Sequence, residues 1–164
     1  MIKIIATLLT IFAFNVSHAK VNVGIILGFT GPIETLTPGM SAGAELAFNE
    51  AADSGKLLNG QSINIIKVDS TCVDSAAATS AAESLISQGV TAIMGADCSG
   101  VTGAVLSNVA VPNGVPMISP SATSPGLTTA PDNGLFFRTA PSDARGGEVL
   151  ADITSSRGIS SVAI

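Results

Sequence analysis

The sequence predicts an α/β chain, an open and mostly parallel sheet with helices on both faces, and three observations carry that prediction. Short apolar runs alternate with segments whose apolar residues recur at helical spacing, the pattern of successive β-α-β units. The composition is rich in Ala, Gly, Ser, Val and Ile with only 4% aromatic residues, so helices can approach a sheet closely. Two apolar runs end in loops of small hydroxyl residues: Val90–Met94 runs into Gly-Ala-Asp-Cys-Ser99-Gly, and Val115–Ile118 into Ser119-Pro-Ser-Ala-Thr123. Open α/β sheets bind ligands outside the carboxyl ends of their strands. Hydroxyls and bare amides there suit a small polar or zwitterionic molecule, held by hydrogen bonds.

The elements follow in order. Val21 to Leu27 reads as a buried strand ending in the turn-forming Gly28-Phe-Thr-Gly-Pro32. Met40 to Ala52 places Ala44, Ala47, Phe48 and Ala51 at helical spacing, with Glu45 and Glu50 on other faces. Gly55 and Asn59-Gly60 break that helix. Ile63 to Val68 is the second strand and leads into Asp69-Ser-Thr-Cys72. Asp74 is a natural N-cap for a helix over Ser75 to Gln88, and Gly89 a natural stop.

Val90 to Met94 is the third strand. Ser99 caps or opens a helix reaching about Ala110, and Pro112-Asn-Gly114 stops it. Val115 to Ile118 is the fourth strand and Leu135 to Arg138 a fifth. Pro141-Ser-Asp143 starts a helix running to about Ser155, and Ile159 to Ile164 reads as a further strand. The sequence ends inside that apolar strand with no turn or polar tail. A truncated sequence is therefore expected, with a natural edge strand as the alternative.

Residues 1–19 have the form of a secretory signal. Lys3 is followed by an apolar stretch of about 11 residues and a small-x-Ala ending at Ala19. An apolar run that short does not span a ~30 Å hydrocarbon core, so cleavage and export are expected. No cysteine follows the run, which argues against a lipoprotein. Loss of Lys3 leaves six basic against twelve acidic residues, a formal charge of −6. A lightly charged acidic chain without a Lys/Arg cluster argues against nucleic acid or an anionic membrane surface as partner. Cys72 and Cys98 each follow a strand at the same end of a parallel sheet. In an oxidising compartment a disulfide between them is the leading expectation, with two unpaired buried thiols as the alternative.

Much catalytic chemistry is missing from this sequence. The only histidine, His18, leaves with the signal, so neither a Ser-His-Asp relay nor a histidine zinc site can be assembled here. There is no phosphate-loop motif and no Ser-x-x-Lys. Gly24, Gly28 and Gly31 lack dinucleotide-fingerprint spacing. Asp69, Asp74 and Asp97 lie near strand ends, where an aspartyl pair competes with the commoner roles of capping helices and facing solvent. No enzyme activity, cofactor or metal is expected.

Ser99 is the strongest single residue. At a helix start its hydroxyl and the first-turn N–H groups suit an anion such as a carboxylate; the alternative is that it only caps its own helix. Ser121 and Thr123, two residues apart, show both hydroxyls on one side of an extended segment, or else belong to a polar turn.

The chain resembles the periplasmic leucine/isoleucine/valine-binding proteins, amino-acid receptors of ABC-type importers in the type I binding-protein fold. The resemblance covers nearly all of the mature segment. It rests on Gly31-Pro32, Gly43-Ala44, Asp69 through Cys72, Cys98-Ser99, Ile118 through Pro125, and Arg138-Thr-Ala with Asp143. It implies an N-terminal lobe over 20–157, the start of a largely absent second lobe over 158–164, and ligand-binding roles at Ser99, Ser121, Thr123, Leu36 and Asp143.

Ser99 would bind an amino acid's α-carboxylate. Thr123 would contact both carboxylate and ammonium, and the Ser121 carbonyl would accept from the ammonium. Leu36 stands where relatives often carry an aromatic residue against the ligand side chain. The resemblance further implies a periplasmic protein, monomeric at full length, that hands its solute to a membrane permease. A ligand-sensing module of a receptor and an exported α/β hydrolase using Ser99 are the competing functions.

Overall fold

A computed structural model of the protein describes residues 20–56 and 61–163; the expected leader and the Asn59-Gly60 turn lie outside them. The chain runs β1 (Val21–Leu27), α1 (Thr37–Asp53), β2 (Ile63–Asp69), α2 (Ser75–Ser87) and β3 (Val90–Gly95). It continues with α3 (Ser99–Val105), a π-helical turn (Leu106–Ala110), α4 (Val111–Asn113), β4 (Met117–Ser119), β5 (Phe136–Arg138) and α5 (Asp143–Ser156). All strands pair in parallel in the order β2-β1-β3-β4-β5. The expected open parallel α/β sheet is therefore the observed one.

Local chemistry explains most boundaries. Asp74 caps α2 by accepting from the Ala76 and Ala77 N–H groups at 2.9 and 3.0 Å. α1 starts at Thr37 rather than Met40, because Pro38 in its first turn gives up no needed N–H and its fixed φ suits a helix start. The helix from Ser99 continues past Ala110. Pro112 lacks an N–H and its ring crowds the carbonyl one turn back. The chain widens before it, with Val111 N–H reaching the Leu106 carbonyl. Gly114, in the left-handed region at φ 66°, ends the run.

α2 and α3 cover one face of the sheet. Ala78, Ala82, Leu85, Val101, Val105 and Val109 pack with Ile26, Ile93 and Met117 in a fully buried cluster. Strand side chains alternate between faces, so Met94 and Ile118 look the other way, toward Ala44, Ala47 and Phe48 of α1. That second face is only partly covered: Ile118 and Phe137 are 42% and 56% exposed. α5 has no buried residue at all.

The strand expected over Ile159 to Ile164 is not present. Residues 159–163 form no strand, and Ile164 lies outside the described residues. A strand needs a pairing partner, and β5 pairs only with β4 among the described residues. Apolar sequence alone does not supply one. No helix of the described residues is long and apolar enough to cross a membrane.

Candidate functional site

The loops after β1, β2, β3 and β4 meet at one end of the sheet, and a single buried carboxylate ties three of them. Asp97, only 3% exposed, accepts from Gly28 N–H at 2.6 Å, from the Ser70 hydroxyl at 3.2 Å and from Cys98 N–H at 2.9 Å. Cys72 and Cys98 are bridged, their Cα atoms 5.2 Å apart, so the β2 loop is also fixed covalently to the start of α3. Ser119 performs the matching task for β4. Its buried hydroxyl donates to the Ala96 carbonyl at 2.5 Å and accepts from Ala122 N–H at 3.0 Å.

Ser99 sits on this base. The N-cap of α3 is Cys98, and no side chain caps the helix. Ser99 is thus inside the first turn and does not serve as the cap. Its oxygen accepts from Ser124 N–H at 3.1 Å, and among the described residues its hydroxyl proton goes to no partner. An uncapped helix start beside a free hydroxyl proton is a site made of donors, suited to an anionic group.

A second cluster has the opposite polarity. Thr123 donates its hydroxyl proton to Asp143 Oδ2 at 2.9 Å, and Asp143 N–H returns a bond to the Thr123 carbonyl at 3.0 Å. Thr123 Oγ1 therefore faces outward as an acceptor, next to a carboxylate. Ser121 donates to the Asp97 carbonyl at 3.0 Å, so its hydroxyl is spent on the scaffold. Ser99, Thr123 and Asp143 are joined in one hydrogen-bonded set through the 123–124 segment. Leu36 stands apart, 59% exposed at the N-cap of α1.

These residues form an open rim. Two hollows among the described residues, about 540 Å³ along α5 and about 300 Å³ beneath α1, are lined by none of Ser99, Ser121 or Thr123. Among the described residues, no group of three or more His, Cys, Asp or Glu side chains is placed to hold a metal ion.

The carboxylates near the strand ends have separate structural duties, with Asp74 on α2 and Asp97 in the loop base. Asp69 accepts from the Thr30 hydroxyl at 2.5 Å and from Thr71 N–H at 2.8 Å. Burial raises its pKa, but the bonds from Thr30 and Thr71 outweigh that and hold it below the ordinary aspartate value. A carboxyl depressed by folding adds stability that is present above its unfolded pKa and is lost as pH falls through the folded one. Asp69→Asn should therefore flatten the acid limb of stability. Urea unfolding at about pH 7 and about pH 3 should show a smaller loss for the variant than for wild type. Equal losses would contradict the role given to these bonds.

The donors at Ser99 and the acceptors at Thr123 and Asp143 thus lie at the strand ends of a parallel α/β sheet, where open sheets of this class bind ligands. Residues 20–164 match the family model described as periplasmic binding protein, and the chain belongs to that family. It is 31% identical over 145 residues to a Leu/Ile/Val-binding protein homolog of Brucella melitensis, which covers 87% of this chain and 38% of the relative. It is 32% identical over 149 residues to a Leu/Ile/Val-binding protein of Rhizobium johnstonii, covering 89% and 39%. The chain thus spans under two fifths of the length of these relatives.

The solved structures similar to this chain include two with a bound ligand. One is the branched-chain amino acid transporter substrate-binding protein of Streptococcus pneumoniae in complex with isoleucine, with a TM-score of 0.68 and 31% identity over 76% of this chain and 35% of that one. The other is an ABC transporter solute-binding protein of R. palustris in complex with benzoate, with a TM-score of 0.70 and 28% identity over 85% and 38%.

Proposed function

We propose that this chain forms one wall of the solute cleft of an ABC-importer receptor, and that its solute is an amino acid, branched-chain or a related small zwitterion. The polarity of the rim is the observation that carries this reading. Ser99 and the uncapped start of α3 offer donors to a carboxylate. Thr123 Oγ1 and Asp143 offer acceptors to an ammonium, with the Ser121 carbonyl as a further acceptor. This assigns Thr123 to the ammonium alone, because its own proton is committed to Asp143. Leu36 would meet the ligand side chain.

The two solved relatives bind carboxylates, one with an ammonium and one without. A carboxylate at Asp143 favours the first kind. The opposite wall would come from the further length that the relatives carry, and hinge closure on the ligand would be what the permease reads. Residues 1–19 would direct the protein to the periplasm and be removed.

Calorimetry on the full-length gene product tests the reading. L-leucine, L-isoleucine or L-valine should bind at about micromolar or tighter, near −8 kcal/mol. Benzoate should bind at least about tenfold more weakly. Equal affinity for benzoate, or no binding of any of the three amino acids, would overturn it.

A further inference from the structure

We propose that Arg138 is a positioning residue for the ligand carboxylate, acting through residue Ser124 on the Ser99 hydroxyl. The inference rests on the reading of Ser99 as carboxylate donor. Arg138 is the last residue of β5, opposite Ser119 in the register with β4. Its guanidinium reaches across the loop that follows β4. Nη1 donates to the carbonyls of Ala122 and Ser124 at 3.2 and 2.8 Å, and Nη2 donates to the Thr128 hydroxyl at 2.5 Å. One guanidinium nitrogen thus holds the carbonyls on both sides of Thr123, and the other arm of the planar fork is anchored on Thr128.

Its effect on Ser99 follows from hydrogen-bond direction. The Ser124 residue is gripped at its carbonyl by Arg138, and its N–H points at Ser99 Oγ. A serine oxygen that accepts a fixed N–H has its proton directed elsewhere, here toward the open end of α3. Without that N–H the hydroxyl is free to turn back onto a nearby carbonyl, as serines in helices do, and the donor is lost. The segment 120–124 has no strand or helix of its own; Ser119 and Asp143 N–H hold Ala122 and the Thr123 carbonyl, and Arg138 joins Leu127 N–H in fixing the Ser124 carbonyl. Arg suits this role because its donors are preorganised in a rigid fork, whereas the Lys ammonium is a point charge on a flexible stem.

Two variants of the full-length gene product separate positioning from charge. Arg138→Met removes donors and charge; Arg138→Lys keeps the charge and loses the fork. In ligand-free protein, amide exchange at Ser124, followed by NMR, should quicken about tenfold in both, while β1 amides keep their protection. In calorimetry with L-leucine, Arg138→Lys should weaken binding about tenfold. In a Ser99→Ala background the same change should cost under about threefold, since the group it positions is gone.

Unchanged Ser124 exchange in the Lys variant would overturn the clamp. Equal cost of Arg138→Lys with and without the Ser99 hydroxyl would overturn its route through Ser99. Wild-type protein that binds no L-leucine would overturn the functional reading and the ligand role of Arg138 with it, while the exchange measurement still decides whether Arg138 holds Ser124.

Discussion

Gly95→Ala is expected to prevent folding. Gly95 ends β3 at φ +128°, a backbone region that L side chains rarely adopt, and a Cβ there would lie 1.9 Å from the Ile26 carbonyl oxygen. The obstacle is backbone. Ile26 and Gly95 are register partners in the β1–β3 pairing, and β1 is flanked by β2 on its other side. Relief therefore requires separating two inner strands of the sheet. Left-handed strain alone costs ~1–3 kcal/mol, and displacing packed strands adds to it.

The sum is expected to exceed ~4–5 kcal/mol, against a net stability of about 5–15 kcal/mol for a typical domain. Gly43→Ala is the control. It lies in α1 with nothing within 4 Å of its would-be Cβ, and should gain up to about 1 kcal/mol from helix propensity. Circular dichroism and thermal unfolding of the two variants measure the contrast. A Gly95→Ala protein that melts like wild type would show that β1 and β3 do not approach as described.

The parts of this fold that are legible in the sequence are those whose causes are local. The α2 helix announces itself through Asp74 and its first-turn amides, two and three residues away. β1 and β3 are bounded by turn residues. What stays hidden depends on distant partners. Asp97 looks like any cap or surface acid in sequence, yet its bonds to Gly28 and Ser70 span 69 and 27 residues. The apolar run from Ile159 has strand chemistry but no strand beside it among the described residues. Pro112 signals a helix end, and the chain passes it by widening into a π turn.

The candidate site divides in the same way. Small hydroxyls at strand ends mark Ser99, Ser121 and Thr123. Only the three-dimensional bonds tell them apart: Ser121 is consumed by the scaffold, Thr123 is turned into an acceptor by Asp143, and Ser99 is left with its proton free among the described residues.

That division predicts two mutants with different signatures. Ser99→Ala in the full-length gene product should weaken L-leucine binding about ten- to a hundredfold, the ~1.5–3 kcal/mol of a hydrogen bond to a charged group. The helix loses no cap, because the N-cap is Cys98. The stability cost is limited to the Ser124 N–H left without its acceptor, ~1 kcal/mol and a few degrees of Tm. Thr123→Val keeps the shape nearly unchanged and removes the acceptor proposed for the ammonium. It should weaken L-leucine by a similar factor.

A leucine analogue lacking the ammonium, 4-methylvalerate, separates the two ends of the site. Its weaker binding, followed by competition, should suffer from Ser99→Ala and be indifferent to Thr123→Val. If Thr123→Val weakened both ligands equally, the ammonium assignment would fail. If Ser99→Ala left both affinities unchanged while lowering Tm, Ser99 would be a structural residue and the carboxylate would have to bind elsewhere.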